Sequence, residues 1–151
     1  LACGRTGRTW AILLRMCETS GRGGLMIFDT DVLIWCLRGN PRAAKAIDSA
    51  DRRAISVVSY MELMQGARDR REAGPIRSFI KDAGVLTLPL TEAVGHRATV
   101  YIEEYALKSR LMLADALVAG TAVEAREPLC SGNGKHFRSI AELELKVFKP
   151  E

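Results

Sequence analysis

Histidine is scarce here, with only His96 and His136 among 151 residues, aromatics make up 6%, and the four cysteines are scattered. Cys3, Cys17, Cys36 and Cys130 form no CxxC pair and stand at no zinc spacing from a histidine, which argues against a zinc site. Cys36 and Cys130 lie in apolar surroundings and read as small core residues, which suits a reducing cytosol. No apolar run approaches the ~20 residues that a membrane span requires, so the chain reads as a soluble cytoplasmic protein with no membrane partner. Internal repeats and low-complexity blocks are missing as well.

The net charge of +4 suggests a nucleic-acid partner until it is divided along the chain. Arg5, Arg8, Arg15 and Arg22 against Glu18 place most of the excess in residues 1 to 25, and the remainder is nearly neutral. Bulk charge therefore identifies no partner. Residues 1 to 25 carry a short apolar piece at Trp10 to Leu14 and end in Ser20-Gly21-Arg22-Gly23-Gly24. The piece is shorter than a secretory apolar region and lacks a small-residue cleavage site. Strand patterning begins only near Met26, so residues 1 to 25 read as an extension, disordered or upstream of the true start. Residues 26 to 149 then form one domain with a sizeable core.

What is present is a series of short β-branched runs alternating with helical patterns. Leu25 to Phe28 breaks onto Asp29-Thr30-Asp31, and hydrophobics resume at helical spacing. Asn40-Pro41 opens a second helix. Ala54 to Val58 reads as strand two, and Ser59-x-x-Glu62 as the capping box of the helix after it. Gly74-Pro75 is expected to close that helix and start another, with Ile76, Phe79, Ile80 and Ala83 on its inner face. Val85 to Leu88 is strand three, Thr91 caps a long helix, and Ala114 to Ala122 is a small-residue helix packed closely on its neighbours. Pro128 to Ser131 is strand four, Gly132 to Phe137 a loop, and Leu145 to Phe148 an edge strand. The alternation predicts an α/β fold, a three-layer α/β/α sandwich around a mostly parallel sheet of about five strands.

Four polar residues sit badly in their apolar settings: Asp29 after strand one, Glu62 one turn past strand two, Asp115 in the small-residue helix, and Asn133 after strand four. In a parallel sheet the carboxyl ends of the strands share one edge, so these residues can converge. Buried carboxylates repel unless something positive sits among them, and hard oxygen ligands point to Mg²⁺ or Mn²⁺. Each residue has a plainer reading beside that one. Glu62 completes a capping box, Asp115 complements a helix dipole, Asp29 caps the next helix, Asn133 is a turn residue, and Lys135 and His136 are solvated loop residues.

Met26-Ile-Phe-Asp29-Thr-Asp31, Ser56-Val-Val-Ser59-Tyr-Met-Glu62, Leu113-Ala-Asp115-Ala and Ser131-Gly-Asn133-Gly-Lys-His136-Phe137 together resemble a PIN-domain ribonuclease of the VapC toxin type. The resemblance covers residues 26 to about 149. It implies a Mg²⁺- or Mn²⁺-dependent endoribonuclease acting on RNA, a homodimer, and neutralisation by a small cognate antitoxin. It matches the family's first three acids to Asp29, Glu62 and Asp115. The fourth, often Asp, is Asn133, and Asp31 stands where Asn is common. Asp29 and Asp115 are expected as direct metal ligands, with Glu62 a ligand or water-positioning base. Thr30, Asp31, Ser59 and Ser131 would orient the carboxylates. With less charge at position 133, one tightly held ion is expected rather than two. Arg68, Arg70, Arg71 and Arg77, with Lys135, His136 and Arg138, are candidate RNA contacts. Trp35 and Tyr60 read as core or interface residues before base-stacking ones.

Two other readings compete. Phe28-Asp29-Thr30-Asp31-Val32 also fits the opening motif of haloacid dehalogenase-type phosphohydrolases, with Asp29 as nucleophile, but that leaves Glu62 and Asp115 idle. A PIN-like binding module that lost activity through Asn133 is the other.

Overall fold

The structure is a computed structural model that describes residues 24–151. Nearly all of the expected extension, residues 1 to 25, lies outside the described residues. Leu25 does not, since it pairs with Arg52 and opens the first strand.

Five strands make one sheet: β1 (Leu25–Phe28), β2 (Arg52–Ser56), β3 (Val85–Leu88), β4 (Leu129–Ser131) and β5 (Leu145–Val147). Their order is β3-β2-β1-β4-β5, and every pairing is parallel. From β1 the chain winds outward to β2 and β3, then returns to the other side of β1 with β4 and β5. The winding direction therefore reverses between β1 and β4, which is where open α/β sheets leave a crevice beyond their carboxyl ends.

The strands alternate their side chains between two cores, as a two-residue period requires. Leu25 and Ile27 of β1 join Ala98, Tyr101, Ala116, Val118, Ala119, Leu129 and Phe137 on one face. Phe28 joins Val32, Leu33, Ile47, Ile55, Phe79, Ile80 and Cys130 on the other. Helices α1 (Thr30–Leu37), α2 (Pro41–Asp48) and α4 (Arg70–Asp82) cover the second face, and α5 (Glu92–Ser109) and α6 (Leu113–Ala125) cover the first. Helix α3 (Val57–Gly66) contributes Val58 to one core and Leu63 to the other, and α7 (Gly134–Phe137) is a single turn. The expected three-layer arrangement is thus present, with a sheet that is wholly parallel. Among the described residues no helix is long and apolar enough to cross a membrane.

The small-residue helix is packed as expected. Ala116, Ala119, Gly120 and Ala122 of α6 are buried, and a Cβ built on Gly120 would lie 3.1 Å from the Val94 carbonyl oxygen of α5. Asn40 caps α2 ahead of Pro41, and Thr91 caps α5 through Val94 N–H. Gly84 has φ +62° just beyond α4, a left-handed conformation that suits glycine at a helix stop. Cys36 and Cys130 are free and buried, and burial pushes their thiols up to about 12 and about 11, so both act as inert core residues.

Three local expectations need correction. Strand two is Arg52–Ser56, two residues earlier than read, and α3 starts at Val57 under a Ser56 cap rather than at a Ser59 capping box. Ser56 Oγ accepts from Val58 N–H, while Ser59 is buried inside the helix. Gly74-Pro75 breaks nothing: Asp69 accepts from Arg71 and Glu72 N–H to start α4, which runs through Pro75 to Asp82. The strong cap and one continuous apolar face outweigh the single hydrogen bond that proline removes. The loop expected over Gly132 to Phe137 contains α7.

Candidate active site

Two adjacent strands and the helix turns that follow them build the crevice. Asp29 is the one residue between β1 and α1, 7% exposed. Its Oδ1 accepts from Thr30 N–H at 2.7 Å, so the plainer reading as a helix cap holds. Its Oδ2 accepts from the Ser131 hydroxyl at 2.7 Å, across to the end of β4. That hydroxyl in turn accepts from Asn133 N–H at 3.0 Å, tying the turn after β4 to the carboxylate after β1.

Asp31 lies in the first turn of α1, and its Oδ2 accepts from Gly132 N–H at 2.8 Å. Its Oδ1 is buried with no hydrogen-bond partner. Glu62 reaches the same place from α3 and accepts from the Thr30 hydroxyl. Asp115, in the first turn of α6, accepts at Oδ2 from His136 Nδ1 at 2.7 Å and from Met112 N–H at 3.3 Å. Asn133 Nδ2 stands 2.7 Å from that same ring nitrogen. A carboxylate can only accept, so Nδ1 carries the proton and the amide makes no second hydrogen bond to it.

Thr30 and Ser131 therefore join Glu62 and Asn133 to Asp29, while His136 is bonded to Asp115 with the Asn133 amide beside it. The electrostatics match this crowding of negative charge. Burial, then Asp31, push the Asp29 carboxyl up from 3.8 to about 7, and Asp115 adds to the rise; hydrogen bonds from Ser131 and Thr30 N–H oppose it. Burial also raises Asp31, with a smaller push from Asp115, against backbone hydrogen bonding from Gly132, Val32 and Asp31 itself. The side-chain charges that act most on the two groups are both carboxylates, Asp31 and Asp115.

Among the described residues, no three His, Cys, Asp or Glu side chains stand grouped so as to hold a metal ion. Glu62 is turned to Thr30 and Asp115 to His136. The donor chemistry nevertheless fits a hard divalent cation: carboxylate oxygens, a buried orphan oxygen on Asp31, and a surplus of negative charge that holds the Asp29 proton.

Of the remaining candidates, Ser59 Oγ is buried and bonded to nothing, so it orients no carboxylate. Arg68 is exposed and paired with Glu72, Nε to Oε1 at 2.8 Å. Arg70, Arg71 and Arg77 are exposed on α4. Lys135 and Arg138 are exposed beside His136 and flank the crevice. Trp35 is 37% exposed, and Tyr60 packs against the second core. Two contributions escaped the sequence. His136 holds Asp115 across 21 positions, for which one sequence carries no signal. Gly132 offers its N–H to Asp31 where a Cβ would lie 2.6 Å from Asp31 Oδ2, and the Gly-Asn-Gly turn was its only trace.

A family model described as the PIN domain matches residues 26–143, a span that includes Glu62 and Asp115. No curated protein matches the sequence. Among solved structures, the chain is similar to a toxin–antitoxin complex from Klebsiella pneumoniae, with 27% identity and a TM-score of 0.67 over 83% of this chain and 98% of that one. It is similar in fold to a DNA-bound VapBC from Salmonella typhimurium, at 20% identity and TM-score 0.72 over 82% and 98% of the two chains. VapBC2 from Rickettsia felis, bound to a promoter DNA fragment, aligns at 16% identity and TM-score 0.68 over 83% and 99%.

Proposed function

The chain belongs to the PIN domain family, and from that premise we propose that it is a Mg²⁺- or Mn²⁺-dependent endoribonuclease, the VapC-type toxin of a toxin–antitoxin pair. The observation that carries the reading is Asp29. Its buried carboxylate ends β1 at the reversal of the sheet, is held by Ser131, and is acted on by the negative charges of Asp31 and Asp115. The antitoxin partner is supported by the toxin–antitoxin complex to which the chain is similar. A homodimer and a cytoplasmic setting belong to the same reading.

In this reading Asp29 and Asp115 would hold the ion, with Glu62 a further ligand or the base that positions the water. When bound, Mg²⁺ or Mn²⁺ supplies Lewis acidity to a phosphodiester. Ser131 and Thr30 N–H fix the two oxygens of Asp29, so this carboxylate is aimed before the ion arrives. Thr30 holds Glu62 at Oε2, which leaves Oε1 free to serve as that ligand or to accept the proton of the attacking water. His136 keeps Asp115 from swinging out of the crevice. Lys135 and Arg138 meet the RNA backbone.

The test is incubation of total cellular RNA with the purified protein in Mn²⁺ or in EDTA. The expected result is discrete fragments in Mn²⁺ alone, abolished by Asp29→Asn. Intact RNA under both conditions would overturn the nuclease reading in favour of a binding module. Trapping of phosphate on Asp29 would overturn it in favour of a phosphohydrolase.

A further inference from the structure

We propose that α5 is the face on which two copies of this chain pair, antiparallel to one another and centred on Val100. A homodimer enters above only through the family resemblance and without a surface. The surface is read here from α5 itself and does not depend on cleavage of RNA.

The outward side of α5 is apolar along one line. Ala93, Val100 and Leu107 recur every seven residues, a step that returns to nearly the same side of a helix. All three are exposed, Val100 by 42% and Leu107 by 99%. A leucine wholly in water contributes no packing to its own chain, and this one continues a line of exposed apolar residues.

The same line leads to a receptor. Between α5, the end of α6 and the segment before β5 lies a cavity of about 270 Å³, lined by Ala93, His96, Val100 and Tyr101 and walled by Glu124 and Glu142. Arg97 crosses it, with Nε 2.6 Å from Glu124 and Nη1 2.8 Å from Glu142, and the Tyr101 hydroxyl also donates to Glu142. These bonds set the shape of the cavity before anything enters it, so docking immobilises few side chains. Ala93 lies seven residues before Val100 and Leu107 seven after it. In an antiparallel pair, Leu107 of each copy therefore stands level with Ala93 of the other, at the cavity.

Charge decides the direction. His96 and Arg97 lie four and three residues before Val100, and Glu103 and Glu104 three and four after it, all on the outward side. Antiparallel pairing sets the donors of each copy against the carboxylates of the other, twice over, and brings Glu92 level with Lys108. Parallel pairing would set glutamate on glutamate and arginine on arginine, which repels. One patch is thus its own complement, as a two-fold interface requires. A helix from a different protein would need no such symmetry about a single residue.

Sedimentation of the purified chain tests the pairing, and cross-linking tests its register. The unmutated chain is expected to sediment at twice the chain mass, and Leu107→Glu to weaken self-association by about 10-fold or more. Because Leu107 is 99% exposed, that variant loses no contact within the chain, and its circular dichroism is expected to be unchanged. For the register, Ala93→Cys and Leu107→Cys chains are mixed and oxidised with diamide. Positions 93 and 107 of one helix are about 21 Å apart, beyond the ~7 Å that a disulfide spans, so each variant alone is expected to link no more than the unmutated chain does. The mixture is expected to give a disulfide-linked dimer. A chain that sediments as a monomer would overturn the proposal. So would a dimer that Leu107→Glu leaves intact and that does not link 93 to 107, which would leave α5 to some other partner. RNA cleavage is assayed separately, and an inactive protein that still links 93 to 107 would sink the nuclease reading alone.

Discussion

Replacing Asp29 by asparagine should stabilise the metal-free protein at alkaline pH, although it removes the central acid of the site. The Asp29 carboxyl is raised from 3.8 to about 7, by burial first and by Asp31 second. That rise corresponds to about 4 kcal/mol in favour of the protonated form. The folded chain keeps this proton to a higher pH than the unfolded chain does. Between pH 4 and 7 the folded state thus binds more protons, and stability falls as pH rises through that window. Above pH 7 the whole ~4 kcal/mol has been lost. Asparagine cannot ionise, yet its oxygen still accepts from Thr30 N–H and its amide can turn to the Ser131 hydroxyl. Urea unfolding in EDTA at pH 4.5, 6 and 8, run on both proteins, reads the difference directly. The two should be close at the lowest pH, with Asp29→Asn ahead by about 2–4 kcal/mol at the highest. A constant difference across the series, or an unmutated protein that gains on the variant as pH rises, would refute the assignment of the unfavourable charge to Asp29.

Thr30→Val keeps the shape of the side chain and deletes the hydroxyl that holds Glu62. RNA cleavage should fall by about 10- to 100-fold in kcat with KM little changed, and equal loss in both parameters would remove Glu62 positioning from the account. Gly120→Val places a branched side chain against the Val94 carbonyl, 3.1 Å from the position of Cβ. It should cost about 2–3 kcal/mol in a denaturant melt, and an unchanged midpoint would show that α5 and α6 can part there without penalty.

The sheet was legible because its buried strands are short apolar runs, and both faces of β1 could be read from Leu25, Ile27 and Phe28. The start of β2 was not. Arg52 and Arg53 look wrong for a central strand, but the Arg53 guanidinium reaches the strand's amino end. There Nε meets the Ile47 carbonyl at 2.7 Å and Nη1 the Ala83 carbonyl at 2.9 Å, closing the ends of α2 and α4. The end of β2 misled for a related reason. Val57 and Val58 have strand propensity, but the Ser56 hydroxyl caps the helix that contains them. It also meets Thr121 Oγ1 at 3.2 Å; the Thr121 proton goes to the Leu117 carbonyl, so Ser56 is the donor. The longest of these contacts join residues 30 and 65 positions apart and leave no periodic signal.

The site divided in the same way. Acids standing in apolar company could be picked out one by one, since their setting is local. Their partners could not, because Thr30 meets Glu62 and Ser131 meets Asp29 only once the strands are side by side. Ser59 shows the reverse error: its spacing from Glu62 has the form of a capping box, yet the helix begins two residues earlier and buries the hydroxyl.

The corners after β1 and β2 contain almost no slack. One residue separates Phe28 from α1, and none separates Ser56 from α3. An extra residue in the first turn of α3 would turn everything downstream by about 100° and carry Glu62 away from Thr30. Length changes in descendants of this chain should therefore accumulate elsewhere, for instance between α7 and β5, while these two corners keep their residue count as fixed as the acids they deliver.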